Sequence, residues 1–509
     1  MKVTDDLFQL IKSLEQSEKR YFKVFASLHI KDAENNQYLK LFDAIDGQGS
    51  YDEKELKKIF AGEKFIRQIH VAKNYLYGNI LKSLRLYHAE RSKVNELMDI
   101  LRDVQILFDK SLYKQCRKLL NKAKKIAYTY EKHAQILAVL DWEKTLARTG
   151  SYSDTNESEL LSYYNEHNLA TEKLSNLNEY WNLATKAFLF RKKKGDIRDK
   201  KDLNKFNDIF KHKLLLSDKY ATSFLSKTFY YNLKGLYYLT NKDFNNLLIY
   251  AEKTVKLLED NPVLMKEDNY IASLYNLLLV QIELKKFDNA LTTINRIRSI
   301  DTSSPALNTR IFVTSYDTEI NLYMKTGEFQ KGEKLVPMID EGLEKMKSRI
   351  NKESKILFDY NIAYVYFGLN KYEQSLKRIN EIINDKDLKI REDIQCFARV
   401  INLLIHYELG NFDLIEYIIK STKRYLSSKN KFNKFESITL DQIRKLISGK
   451  NTDKKYIFVE WKKKLESISD DILEINAFEY FDLSSWIDSK LSGKTFTEII
   501  KDKTHKNKR

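Results

Sequence analysis

Apolar residues recur three and four positions apart almost from end to end of the chain, with charged residues between them. That spacing predicts amphipathic α-helices, each with one stripe to bury. The helices repeat. A short polar turn is followed by an aromatic or large apolar residue that opens the second helix of a pair, often two residues after Gly or a polar turn residue. The clearest of these elbows are Tyr113, Phe244, Phe287, Phe329, Tyr372 and Phe412. Weaker ones, Tyr152 after Gly150 and Ile197 after Gly195, complete the series with successive spacings of 39, 45, 47, 43, 42, 43 and 40 residues. A period of about 43 residues predicts stacked helix pairs, each burying a face against the next.

Paired helices approach closely only where small side chains face each other. Three residues past the elbows stand Cys116, Thr155, Ala290, Gly332 and Ser375, with Lys200, Leu247 and Ile415 as departures. Farther along the second helix, Leu120 with Ala123, Ile294 with Ile297, Val336 with Ile339, and Ile379 with Ile382 turn inward. On the first helix, Tyr238, Tyr323 and Tyr366 precede their elbows by six positions, and Gly235 and Ala363 by nine.

These features are plainest in YYNLKGLYYLTNKDFNNLLIYAEKTV, YNLLLVQIELKKFDNALTTINRI, INLYMKTGEFQKGEKLVPMI and YNIAYVYFGLNKYEQSLKRINEII. Over residues 93–425 the chain resembles the tetratricopeptide repeat family, with a period of about 43 in place of about 34 and without that family's regular proline. The resemblance implies an all-α, right-handed α-α superhelix whose concave surface, lined by the first helix of each pair, receives a peptide or protein partner.

Residues 1–92 read as a separate helical cap, with helices near Asp5–Leu14, Glu18–Leu28, Tyr38–Ile45, Asp52–Phe60 and Phe65–Glu90. A DNA-reading helix-turn-helix around Gly62, with Arg67, His70, Lys73, Asn74, Lys82 and Arg85 on its second helix, fits poorly. Lys58 stands where a small residue is needed, and that helix is too long. Residues 426–500 read as a C-terminal helical cap, with helices near Phe435–Ile447, Tyr456–Ile468, Ile472–Leu491 and Thr495–Ile500. Residues 501–509 read as a frayed basic tail.

Composition agrees with long helices. Only 3 prolines and 14 glycines interrupt 509 residues, which disfavours sandwiches and barrels. Apolar residues at 43% suffice for a large core. Cys116 and Cys396 fit no disulfide framework or metal spacing, which points to a reducing, cytoplasmic setting. Met1–Gln16 lacks the apolar run of a signal peptide, and no apolar stretch approaches the ~20 residues of a membrane span. No membrane association is expected.

The net charge of +17 is local: Lys110–Ala134, Arg191–Lys213 and Lys501–Arg509 together carry all of it. Local positive charge can steer an acidic protein or a nucleic acid. The candidate basic patch comprises Lys114, Lys118, Lys122 and Lys125, one stripe of a helix, with Arg191, Lys192, Lys193 and Lys194. Lysine far outnumbers arginine beside abundant Asn, Ile and Tyr, so an AT-rich genome explains the same charge without selection for binding.

Catalytic patterns are missing. The histidines are scattered singly, and no G-x-S-x-G turn or Cys-His context occurs. The one close glycine pair, in DAIDGQGSYDE, imitates a calcium loop, but the register places Phe42 and Ala44 where oxygen ligands must stand. No enzyme activity, cofactor or metal is expected. The expected function is an interaction scaffold or adaptor, with a nucleic-acid-associated factor using the basic segments as the alternative and self-association through solenoid edges also open. The candidate partner groove lies on first helices, where Asn recurs beside Tyr: Asn232, Tyr275, Asn276, Asp317, Asn321, Tyr360 and Asn361. An amide both donates to and accepts from a peptide backbone. The same residues could instead fix one helix to the next.

Overall fold

The computed structural model describes residues 5–28, 37–88, 92–149, 156–194, 200–385, 390–429, 431–448, 453–469, 474 and 477–506. Among them the fold is all-helical, without strands. The chain divides into two compact units: unit 1 takes residues 1–182 with 221–226, and unit 2 takes 183–220 with 227–509.

In order, the first nine helices are α1 Asp6–Ser13, α2 Gln16–Leu28, α3 Gln37–Gly47, α4 Glu53–Ile59, α5 Ile69–Tyr87, α6 Lys93–Asp109, α7 Tyr113–Thr129, α8 His133–Thr149 and α9 Glu157–Lys194. The first five enclose a small core that includes Leu7, Ile11, Phe22, Phe42, Leu56 and Ile80. The glycine-containing turn after α3 is a helix–helix loop. There Lys19 Nζ pairs with Asp46 at 2.6 Å, and Gln48 donates to the Asp52 carbonyl. A second core joins α6, α7 and α8 through Leu97, Val104, Leu120, Val139 and Leu140.

The chain continues with α10 Lys200–Ile209, α11 Phe224–Thr240, α12 Phe244–Glu259, α13 Glu267–Glu283, α14 Phe287–Arg298, α15 Pro305–Thr326, α16 Phe329–Lys345, α17 Lys352–Gly368, α18 Tyr372–Ile383, α19 Glu392–Glu408, α20 Phe412–Ser428, α21 Lys434–Ile447, α22 Lys454–Glu466, α23 Ala477–Tyr480, α24 Leu483–Ser492 and α25 Phe496–Lys506. Sequence neighbours pack as pairs, and within unit 2 the first helices α13, α15, α17, α19 and α21 also pack one on the next, consistent with an α-solenoid.

All six clear elbow residues are the first residue of a helix. Two positions earlier the backbone is left-handed every time: Ser111, Lys242, Lys285, Gly327, Asn370 and Gly410 have φ between 57° and 72°. The closing bonds repeat as well. The amide just before the elbow donates to the carbonyl five residues back, as Lys286 does to Gln281 at 2.8 Å and Lys371 to Tyr366 at 2.9 Å. The left-handed residue donates to the carbonyl three residues back, as Lys285 does to Ile282 and Asn370 to Phe367. This is a Schellman closure, which satisfies carbonyls at the helix end that would otherwise lack donors. Only two of the six left-handed residues are glycines. Lys285, exposed at φ 57°, carries the strain of a Cβ in that region. Lys285→Gly is expected to raise stability by about 0.5–1 kcal/mol, read as a higher urea midpoint.

Small residues past the elbows do what close approach requires. Cys116, Ala290 and Ser375 are fully buried, and Ser375 Oγ donates to the Ala363 carbonyl at 2.7 Å. Cys116 Sγ makes the equivalent contact with the Val104 carbonyl. A Cβ on Gly332 would stand 3.0 Å from Val365 Cγ2. At Ile415, a departure from the small-residue rule, the larger side chain is also fully buried.

Some expectations fall outside the described residues, and others give way. The elbows Tyr152 and Ile197, with Thr155, lie outside the described residues. Between them α9 runs unbroken for 38 residues, in place of the expected helix pair with a turn. The helix expected over Ile472–Leu491 is broken: α23 ends at Tyr480, and Asp482 starts α24 by accepting the Ser485 amide at 2.9 Å. Residues 501–506 belong to α25, so the helix extends into the segment expected to be a frayed tail, and 507–509 lie outside the described residues.

The last helices share a core with the preceding pairs, through Phe329, Tyr364, Phe367, Phe481, Trp486 and Phe496 among others. α25 seats on two elbows, where Thr497 Oγ1 donates to the Gly368 carbonyl at 2.7 Å and Thr504 Oγ1 to the Lys325 carbonyl at 3.3 Å. Gly327 lets this helix close in, since a Cβ there would lie 3.1 Å from the Thr497 carbonyl oxygen.

Candidate functional site

Twelve positions before four successive elbows stand Asn232 on α11, Tyr275 on α13, Asp317 on α15 and Tyr360 on α17. Equal register on stacked first helices places such residues on one face. Side-chain contacts join two of these helices. Asn361 Nδ2, on α17, donates to Asp317 Oδ1 at 2.9 Å. Asn321 Nδ2 donates to the same oxygen at 3.3 Å and to the Asp317 carbonyl at 2.8 Å. Burial, and then the charge of Asp317, raise the Tyr275 hydroxyl above its ordinary value.

The residues of the expected groove divide by environment. Asn232, Tyr275 and Asn276 are exposed, and among the described residues neither Asn232 nor Asn276 uses its amide in a hydrogen bond. Leu239 and Leu279 lie exposed on the same two helices. Asn361 and Tyr360 are buried. Asn361 acts between helices, as the alternative reading of the asparagines has it, and Tyr360 donates its hydroxyl to the Tyr480 carbonyl at 3.0 Å. The C-terminal segment therefore lies over α17, and it covers α19 as well, where Trp486 Nε1 donates to Glu408 at 2.6 Å.

Between this segment and the first helices a cavity of about 680 Å³ remains. Its wall includes Asn321, Tyr360, Asn361, Tyr364, Tyr480 and Asp482. Repeat spacing identifies the first three. Tyr480 and Asp482 come from a segment more than a hundred residues away, to which no periodicity points.

Electrostatics single out Asp317. Burial pushes its carboxyl up to about 6, against the opposing pull of the Arg391 charge and the Asn361 bond. Arg391 is committed elsewhere, since its guanidinium grips Asp393 at 2.7 Å and Tyr480 donates to the same carboxylate at 2.6 Å. Burial opposes ionisation of Asp393, but those two bonds outweigh it and pull the group down to about 2.

The residues of the basic patch are divided between the two units. On α7, Lys114, Lys118 and Lys125 are exposed, while Lys122 pairs with Glu96 at 2.7 Å. Arg191 is half-buried and donates to Thr240 Oγ1, Lys192 is exposed, and the side chains of Lys193 and Lys194 lie outside the described residues. Among the described residues no group of His, Cys, Asp and Glu is placed to hold a metal ion, and no helix is long and apolar enough to cross a membrane. Both cysteines are buried, and desolvation pushes the Cys396 thiol up to about 11, which disfavours a reactive thiolate.

No protein-family model matches the chain, and no curated protein matches it. Function is therefore argued from the site.

Proposed function

We propose that this chain is a non-enzymatic interaction scaffold or regulatory adaptor. It binds a protein or peptide partner along the first-helix face of a right-handed, tetratricopeptide-like superhelix. The observation that carries this reading is the set of exposed amide, aromatic and aliphatic side chains on α11 and α13. Asn232, Tyr275 and Asn276 are exposed there with Leu239 and Leu279, and among the described residues the two asparagine amides make no hydrogen bond. Free amides orient a peptide backbone without demanding one side-chain sequence, and exposed aliphatic groups supply apolar contact. A preformed surface lowers the ordering cost of capture.

The test uses the tagged full chain in native lysate after nuclease treatment. Wild type is expected to retain a defined protein. Asn232→Ala combined with Asn276→Ala is expected to reduce its recovery several-fold with unchanged helicity by circular dichroism, because both side chains are exposed and unbonded. Unchanged recovery by the double variant, or recovery that vanishes with nuclease, contradicts the reading.

A further inference from the structure

Asp317 is a half-buried carboxylate with an unusual set of neighbours. No lysine or arginine among the described residues lies within ion-pair distance of it. Elsewhere in unit 2 carboxylates in comparable settings do find cations. Asp359 takes Arg378 at 3.1 Å, Glu319 takes Arg298 at 2.5 Å, and Glu408 takes Lys490 at 2.5 Å. Among the described residues the only donors to the Asp317 carboxylate are two amides, and both Asn321 and Asn361 aim at Oδ1. Among the described residues Oδ2 receives no donor. Both amides also line the cavity, and Asp317 accepts from each of them.

Charge decides which ligand suits such a place. An anion would meet the carboxylate unshielded, and an apolar group would strip it of water without returning a partner. A cation restores the missing interaction. The form of the cation follows from the open oxygen. A guanidinium binds a carboxylate best through two parallel bonds, and Oδ1 is already taken by two amides. One free oxygen suits the compact ammonium of lysine.

Resting on the peptide-binding reading above, we propose that Asp317, its Oδ1 fixed by Asn321 and Asn361, is the recognition site for a lysine side chain of the bound segment. The segment's backbone then runs across the exposed amides of Asn232 and Asn276. Two charges work against the incoming ammonium, Arg391 at the start of α19 and Lys325 in the cavity wall, but Asp393 already neutralises the first and the second is exposed to solvent. Asp482, the carboxylate in the cavity wall, is occupied in capping α24.

The experiment selects short peptides from a random display library on the full-length chain, then measures the affinity of the retained peptides as synthesised. The expected result is a lysine at one aligned position. Its replacement by norleucine is expected to weaken binding at least about tenfold, and its replacement by arginine less severely. On Asp317→Asn, which keeps an oxygen for Asn361, the lysine and norleucine peptides should bind within about twofold of each other. Retained peptides without an aligned lysine, or a lysine preference that survives Asp317→Asn, overturn the lysine site and leave the peptide-binding reading standing. A library that yields no retained peptide overturns both.

Discussion

Ala290→Arg is expected to destabilise the chain by about 4 kcal/mol or more, enough to lower the thermal midpoint by many degrees. Ala290 is the third residue of α14 past its elbow and is fully buried. Its core includes Leu274, Leu277 and Leu278 of α13, the partner helix of the pair. A guanidinium there would displace apolar packing and sit without a counter-charge, the combination that makes single substitutions most damaging. Asn289→Arg, one residue earlier and exposed, is the control and should change stability by no more than about 0.5 kcal/mol. Thermal unfolding followed by circular dichroism separates the two. Equal midpoints would contradict the packing of α13 on α14.

The second large effect has the opposite sign. The Asp317 carboxyl rises from an ordinary 3.8 to about 6 in the folded chain. A raised carboxyl is easier to bury protonated than ionised, so its penalty is absent below about pH 4, grows as pH rises, and levels off above about 6. A rise of that size corresponds to about 2–3 kcal/mol at neutral pH. Asp317→Asn removes the charge while keeping shape and an acceptor for Asn361. The variant is therefore expected to be more stable than wild type by about 2–3 kcal/mol at pH 7.5 and equal to it at pH 4, read from urea unfolding at the two values. A stabilising substitution at a half-buried position marks a residue kept at a cost to the fold, the pattern expected where a ligand supplies the missing cation. A variant no more stable at pH 7.5 than wild type would contradict the unpaired state of this carboxylate.

The elbows are legible in the sequence because their chemistry is local. A left-handed residue, two closing bonds and an apolar residue at the next helix start fit within a few positions, so Phe287, Phe329 and Tyr372 announce themselves. Lys242 and Lys285 are harder to see as turn centres, since nothing in a lysine advertises positive φ. Burial three residues past the elbow is legible for the same local reason, as Ala290 and Ser375 show. The repeat period misleads at α9. From Glu157 to Lys194 there is neither glycine nor proline, and continuous helix wins over the expected turn. At the site, spacing brings Asp317, Asn321, Tyr360 and Asn361 to one face. It carries no information about the segment around Tyr480 and Asp482, whose docking depends on rings such as Phe481 against Tyr364 and Phe496 against Phe329. Nor does spacing distinguish asparagines that bond between helices, such as Asn361, from the free amides of Asn232 and Asn276. That distinction rests on burial.

Site-specific photo-crosslinking tests the central claim most directly, with the reactive side chain installed at Tyr275 in one variant and at Lys118 on α7 in another, both as full-length chains in native lysate. Partner binding on the first-helix face predicts a discrete protein adduct from position 275 and none of the same identity from position 118. An adduct from position 118 alone, or adducts made up of nucleic acid, would contradict it.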